Sequence, residues 1–177
     1  AASRARSLRA DGPRTAPNAV ACTGAGAGAT TNRRWGPDVR IGIDATPLLG
    51  QRSGIGTYTQ HLLEALVATR PDDTFVATAF TFHGRRDLPG AVPPGVEVAS
   101  RPVPARLLRQ AWQVGARPRI EDLAGTLDVF HATNFLMPPT ARAAGVVTIH
   151  DLAYLRFPET VSAATLAYRE LVPRGLA

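Results

Sequence analysis

Five short apolar runs, separated by longer segments, most strongly constrain the fold of this 177-residue chain. Most of them are apolar at nearly every position, rather than at every second one. That pattern is typical of strands covered on both faces, as in a parallel sheet. The runs lie at residues 39–43, 75–80, 96–99, 127–130 and 146–149.

The segments between the runs carry helical signals. Apolar residues at helical spacing predict a helix over 55–69, which should end before Pro71 because proline disfavours helix in the residue preceding it. A second helical segment covers 105–124, and Pro118 is expected to split it into two helices.

The rest of the chain completes an alternating order of strands and helices. A last helix is predicted over 162–172, with Ser162 as its N-cap. Residues 82–95 are rich in glycine and proline and are expected to form a loop. The alternation predicts one α/β domain over 39–177, a Rossmann-like, doubly wound parallel sheet.

The charge is concentrated in the first 38 residues. The net charge is +6 and all basic residues are arginine, but six arginines and two aspartates give residues 1–38 a charge of +4. This Arg/Ala/Gly/Pro-rich tail has few large apolar residues, so we predict that it is disordered. A transit peptide, a nucleic-acid-binding arm and a simple extension remain open for it. Since 39–177 carries only +2, no nucleic-acid partner is expected.

Composition excludes other classes. The single cysteine, Cys22, excludes an internal disulfide framework, and no stretch of about 18 apolar residues could form a transmembrane helix. Four arginines could form a basic edge that meets a membrane, or could simply be solvated helix faces: Arg106, Arg109, Arg117 and Arg119.

A glycine-rich turn follows the first run. Gly54 and Gly56 open the first helix, whose free N–H groups and partial positive charge suit a phosphate or diphosphate. The P-loop and dinucleotide-binding signatures are both missing. The alternative is that both glycines serve only the turn.

Two further runs end in polar residues. His131 and Asn134 follow the fourth run, and His150 and Asp151 follow the fifth. Ligands of open parallel sheets bind beyond the carboxyl ends of the strands, so we expect these ends to converge on one pocket. Each histidine could instead be satisfied by backbone groups. Neighbouring residues of an extended chain point oppositely, so His150 and Asp151 are not expected to form a relay.

Metal and hydrolase chemistry are less favoured. Four residues could ligate a metal: Asp44, His131, His150 and Asp151. The spacing common in zinc sites is missing, however, and no metal site is predicted. Ser53 with His150 could form part of a hydrolase site. However, the sequence has no G-x-S-x-G motif, and Ser53 is expected to cap a helix.

Taken together, four motifs resemble the N-terminal domain of family-4 glycosyltransferases. They are RIGIDATPL at 40–48, SGIGTY at 53–58, DVFHATN at 128–134 and VTIHDL at 147–152. The resemblance continues through 156–159 and 168–174 and covers about 39–177. It implies the N-terminal half of a GT-B fold, whose two Rossmann-like domains face each other across a cleft. The family's C-terminal, donor-binding domain has no counterpart in this chain.

The resemblance also implies a reaction. The family transfers a sugar, with retention, from a nucleotide-diphosphate sugar to an acceptor, usually without a metal or another cofactor. We expect a hexosyltransferase, with mannosyl or glucosyl transfer from GDP-mannose or UDP-glucose to a glycan or lipid-linked acceptor. The expected location is the cytoplasm, with contact to the inner face of the membrane left open. Without its second domain, the chain is expected to be inactive alone.

The family pattern assigns roles to nine residues. The donor diphosphate is assigned to Gly54, Ile55, Gly56 and Thr57, catalysis to His150 and Asp151, and acceptor or sugar contacts to His131, Asn134 and Tyr154. The alternative function is a non-enzymatic α/β module that binds a phosphorylated ligand or a partner domain.

Overall fold

The computed structural model describes residues 38–51 and 53–176. The predicted disordered tail lies outside these residues, apart from Asp38. The described chain forms a five-stranded sheet in which every pair of neighbouring strands is parallel. The strands are β1 (Arg40–Asp44), β2 (Thr74–Phe80), β3 (Glu97–Arg101), β4 (Val129–Ala132) and β5 (Ala144–Val147).

The strand order is β3-β2-β1-β4-β5, which places the first strand in the middle. The chain builds one half of the sheet outward from β1 and then returns to build the other half from β4. In the register of the sheet, Ile43 of β1 pairs with Ala77 of β2 on one side and with His131 of β4 on the other. The topological switch point, where such sheets bind ligands, therefore lies between the carboxyl ends of β1 and β4.

Seven helices connect or follow the strands in the described residues. They are α1 (Gly54–Thr69), α2 (Leu88–Ala91), α3 (Ala105–Val114), α4 (Ile120–Ala124), α5 (Ala153–Arg156), α6 (Ala163–Leu166) and α7 (Tyr168–Leu176). Short 3-10 turns occupy Thr46–Leu48, Arg85–Asp87 and Pro158–Thr160. None of the helices in this part of the chain is long and apolar enough to cross a membrane.

Apolar side chains fill both faces of the sheet. On one face, Ile43 packs in a cluster with Leu63 of α1. On the other face, Val76 and Phe130 pack with Ile120 of α4. Coverage of both faces explains why the strands are apolar at nearly every position. The predicted Rossmann-like, doubly wound α/β fold is confirmed.

Several predicted element boundaries are also confirmed. Helix α1 ends at Thr69, before Pro71, and the segment 105–124 is split into α3 and α4. Ser162 caps α6, because its Oγ accepts a hydrogen bond of 3.2 Å from the Thr165 N–H.

Four expectations need correction. The fourth strand lies two residues later than predicted and includes His131, because 129–132 is the stretch that pairs with β5. The segment 162–172 contains two short helices, α6 and α7, rather than one. The fifth strand lies two residues earlier than predicted, because 144–147 is the stretch that pairs with β4. Residues 82–95 are not all loop. They include α2, in which Leu88 is 0% exposed and packs against Ala77 and Ala79, so tertiary burial overrides the local glycine and proline content.

The loop between β4 and β5 is held by one carboxylate, which generates a first prediction. Glu121 of α4 accepts hydrogen bonds of 2.8–3.0 Å from the N–H groups of Ala141, Arg142 and Ala143. Burial raises the pKa of Glu121, but these hydrogen bonds outweigh it, and the net pKa lies below the ordinary value. Its contribution to stability is thus present above about pH 4.5 and is lost as the pH falls through the lowered pKa.

We expect Glu121→Gln to lower the free energy of unfolding by about 1–3 kcal/mol at neutral pH, because the amide NH₂ cannot accept these N–H groups. Urea unfolding at several pH values measures the effect, which should shrink toward acid pH. Exposed Glu159→Gln is the matched control. Equal stability of Glu121→Gln and the parent chain would show that the contacts contribute nothing.

Candidate functional site

A buried threonine ties together the segments at the switch point. Thr133, just after β4, is 0% exposed, and its Oγ1 donates a hydrogen bond of 2.7 Å to the main-chain oxygen of Asp44. Its own carbonyl oxygen lies 2.8 Å from His150 Nε2. A carbonyl can only accept, so this nitrogen carries the hydrogen. Thr133 thus links the ends of β1 and β4 to the segment after β5. No local sequence pattern distinguishes Thr133 from its neighbours.

The imidazole of His150 is also held by aromatic rings. Tyr58 of α1 contacts it edge-on, with ring centroids 5.2 Å apart, and Phe135 does so at 5.8 Å. Within the described part of the chain, Nδ1 has no hydrogen-bond partner. The residue is exposed, so an oriented ring presents one free nitrogen to solvent.

His131 is connected to the His150 ring through two intervening side chains, Thr148 and Tyr58. Its Nε2 is 2.8 Å from Thr148 Oγ1, which is itself 3.1 Å from the Tyr58 hydroxyl. Burial lowers the pKa of His131 below its usual range, which favours the neutral ring. The predicted acceptor contact of His131 stays a prediction. In the structure, the His131 ring bonds the Thr148 hydroxyl that holds Tyr58, and Tyr58 in turn contacts His150.

A cleft of about 300 Å³ opens on the opposite face of the sheet, under α3. Asp44 and Asn134 line it, together with apolar side chains that include Phe80 and Trp112. The expected convergence on one pocket is therefore only partly right. The strand ends meet at one edge, but the His131 ring in β4 bonds Thr148, whereas Asn134, in the bend after β4, lines the cleft.

The polar side chains of the cleft are incompletely paired. Asn134 Oδ1 is buried and has no hydrogen-bond partner within the described residues. Asp44 Oδ1 accepts a hydrogen bond of 3.0 Å from the Thr46 N–H. Desolvation raises the pKa of Asp44, and the bonds to Thr46 only partly offset this rise. Both residues line the cleft, and both retain hydrogen-bonding capacity that the protein does not use.

The amino end of α1 borders the same cleft through Ser53 and Ile55. Ser53 is its N-cap, as predicted, because its Oγ accepts the Gly56 N–H at 3.2 Å. The first bond of the helix runs from Thr57 N–H to the Ser53 carbonyl, at 2.9 Å. The N–H groups of Gly54 and Ile55 precede that bond, so the helix offers them no acceptor.

The two glycines of this turn differ in what surrounds them. A Cβ atom at Gly56 would lie 2.5 Å from the main-chain oxygen of Pro47, so the close approach of two backbone segments requires glycine there. A Cβ atom at Gly54 would meet nothing within 4 Å. Packing therefore explains Gly56 and leaves Gly54 facing open space.

Asp151 and Tyr154 do not line the cleft. Asp151 is exposed, and its Oδ1 accepts the Ala153 N–H at 2.8 Å at the start of α5. No hydrogen bond between Asp151 and His150 occurs in the structure as described. Tyr154 is 2% exposed and packs with Phe135 and Tyr168. Their predicted roles in catalysis and sugar binding stay predictions, and these placements give them a local structural role.

No group of three or more His, Cys, Asp or Glu side chains in residues 38–51 and 53–176 is placed to hold a metal ion. The candidate site is therefore built from main-chain N–H groups, one imidazole, one carboxyl and one amide.

Comparison with family models gives a match to the glycosyl transferase 4-like domain over residues 53–177. The chain belongs to this family. The glycosyl transferase 4-like match begins at the N-cap of α1 and includes Thr133, Asn134 and His150. It confirms the resemblance seen in the sequence motifs and supports a glycosyltransferase-type function. No curated protein and no solved structure gave a significant match.

The raised pKa of Asp44 generates a second prediction. For a carboxyl whose pKa in the folded state exceeds the unfolded value near 3.8, the contribution to stability is present below that pH and is lost as the pH rises through the folded pKa. Asp44→Asn keeps an acceptor for the Thr46 N–H but cannot ionise. We expect the variant to unfold at a higher temperature than the parent chain at neutral pH.

Thermal melts at several pH values measure this difference, which should vanish as the pH falls below about 3.8, where Asp44 is protonated in both states of the parent chain. A variant less stable than the parent chain at neutral pH would contradict the desolvation argument.

Proposed function

We propose that this chain is the acceptor-side domain of a retaining glycosyltransferase. It takes part in moving a mannosyl or glucosyl group from a nucleotide-diphosphate sugar, such as GDP-mannose or UDP-glucose, to a glycan or lipid-linked acceptor. The observation that carries the proposal is the open amino end of α1, with unfilled space above Gly54, at the switch point of the sheet.

The chemistry of the transfer explains why such a helix end is useful. Cleavage of the bond between sugar and phosphate leaves negative charge on the diphosphate. The N–H groups of Gly54 and Ile55 and the partial positive charge of the helix end stabilise an anion there. Because these groups are already oriented, they stabilise the leaving group without reorganisation in the transition state.

His150 is the second element of the proposed site. Its Nε2–H is held by the Thr133 carbonyl, and its ring is fixed by Tyr58. Nδ1 is left to bond a sugar hydroxyl, or, in the protonated ring, a phosphate oxygen. We propose no covalent intermediate, because Asp151 accepts the Ala153 N–H and no carboxylate in the described residues makes a hydrogen bond to His150.

The remaining parts of the proposal rest on the family. The residues that read the nucleotide are expected in a second Rossmann-like domain outside this chain. We place the reaction in the cytoplasm, at the inner face of the membrane where the acceptor is lipid-linked. A module that binds a phosphorylated ligand without transferring sugar would use the same helix end, and an assay of transfer separates the two.

The two glycines provide a matched test of donor binding. Gly54→Ala places a methyl group in the open space and should weaken binding of UDP-glucose and of pyrophosphate about tenfold, with little change in stability. Gly56→Ala should lower the melting temperature, because its Cβ meets the Pro47 oxygen. Titrations of the labelled chain by amide NMR measure the affinities.

His150→Ala should also weaken UDP-glucose binding, whereas His61→Ala, an exposed histidine paired with Glu64 on α1, should not. Undiminished affinity in both Gly54→Ala and His150→Ala would overturn the proposed donor site.

A further inference from the structure

Phe135 has a backbone conformation that phenylalanine rarely adopts. Its φ is 56°, in the left-handed region, and Asp38 is the other non-glycine residue with a positive φ in the described chain. The Leu136 N–H donates a hydrogen bond of 2.6 Å to the Asn134 carbonyl, which closes a three-residue turn centred on Phe135. With a positive φ at its centre, such a turn is the strained form of the γ-turn, and glycine would adopt it at lower cost.

Packing and one further hydrogen bond retain the strained turn. Phe135 is 7% exposed, and its ring stacks on Tyr168 of α7, with centroids 5.0 Å apart, and meets Tyr154 of α5 edge-on at 5.8 Å. Its N–H donates a hydrogen bond of 3.0 Å to the carbonyl of Thr148, two residues before His150. Strain of this kind persists only where the surrounding structure over-determines it, and it is concentrated at functional sites.

The ring that this turn places contacts the imidazole of His150. The centroids of the two rings are 5.8 Å apart, and their planes are inclined by 68°. The bond from Nε2 to the Thr133 carbonyl holds one atom of the imidazole, but a single hydrogen bond does not fix the tilt of the ring about that bond. Contacts with neighbouring rings fix the tilt, and with it the direction in which Nδ1 faces solvent.

The second ring against His150 is less firmly enclosed. Tyr58 is 37% exposed, and its hydroxyl lies 3.1 Å from Thr148 Oγ1. No ring contact joins Tyr58 to Phe135 in the residues that the structure describes, so each ring contacts the imidazole independently. Because Phe135 is buried and Tyr58 is partly open to solvent, Phe135 is the contact that restricts the imidazole more.

We propose that Phe135 is a positioning residue, whose strained turn places a buried phenyl ring against His150 and so fixes the direction in which Nδ1 meets the nucleotide-diphosphate sugar. The meeting with the donor rests on the proposed function, whereas the orientation of the imidazole is a property of the chain alone. Phe135 acts through His150 and does not itself touch the donor. An aliphatic side chain would fill the same space, but it lacks the edge and face that orient a neighbouring ring.

Phe135→Leu tests the proposal, because leucine fills most of the space without a ring. The NMR shifts of the carbon-bound ring protons of His150 report its tilt, and long-range proton–nitrogen spectra show which nitrogen of the neutral ring carries hydrogen. In the parent chain we expect the hydrogen on Nε2 and ring-proton shifts displaced from those of free histidine. In Phe135→Leu the shifts should approach the free values, and UDP-glucose should bind about two- to tenfold more weakly, the equivalent of one aromatic pair.

Two variants serve as controls. Phe135→Tyr keeps the ring and should retain the His150 signals and the affinity. Phe75 of β2 is 3% exposed and packs with Ile43 and Leu63, away from His150. Phe75→Leu should therefore lower the melting temperature, as Phe135→Leu does, but leave the His150 signals and the affinity unchanged. If Phe135→Leu does not fold, Phe135→Met replaces it, because the flexible methionine side chain adapts to an irregular space.

The signals of His150 need no ligand, which separates this inference from the proposed function. If the parent chain and a folded Phe135→Leu bind UDP-glucose equally well, the donor site stands and the positioning role is overturned. Unchanged His150 signals in Phe135→Leu, or a Phe135→Tyr that behaves like Phe135→Leu, would also overturn it. If the parent chain does not bind UDP-glucose but Phe135→Leu alone displaces the His150 signals, the donor site fails and the orientation of His150 by Phe135 stands.

Discussion

The hydrogen bond from Thr133 to the main-chain oxygen of Asp44 fixes the arrangement of the carboxyl edge of the sheet. It joins residues 89 positions apart, at the point where the two halves of the sheet diverge. Through its carbonyl, Thr133 also orients the imidazole of His150. The end of β1, where Asp44 borders the cleft, and the histidine therefore keep their relative positions through one fully buried residue, which a parallel sheet alone would not guarantee.

The same edge contains groups that folding alone does not require. Asn134 Oδ1 has no partner in the described residues, Asp44 is desolvated, and Gly54 faces open space although packing would accept a larger residue. By contrast, the polar groups at the opposite edge are paired, as between Arg40 and Asp128. A buried amide oxygen without a partner, a desolvated carboxyl and a glycine that faces open space are typical of a binding site at the switch point, and they agree with membership of the glycosyl transferase 4-like domain family.

The sequence predicted those features that depend on local pattern. Apolar runs predicted the parallel sheet, and Ser53 and Pro71 predicted the ends of α1. Features that depend on long-range contacts could not be predicted. Helix α2 depends on the burial of Leu88 against Ala77 and Ala79 of β2. Thr133 resembles any residue at a strand end until its hydrogen bond to Asp44 is known. The separation of His131 from Asn134 could not be predicted from their spacing, because His131 lies in β4 whereas Asn134 lies in the bend that follows this strand.

The most direct test of this account is the ligand affinity of Thr133→Val, which keeps the shape of the side chain and removes the hydroxyl that binds Asp44. NMR titrations with pyrophosphate and with UDP-glucose measure binding at the proposed donor site, and Thr133→Ser, which keeps the hydroxyl, is the control. The account predicts that Thr133→Val folds but weakens binding of both ligands, while Thr133→Ser retains it. A folded Thr133→Val that binds both ligands as tightly as the parent chain would contradict it.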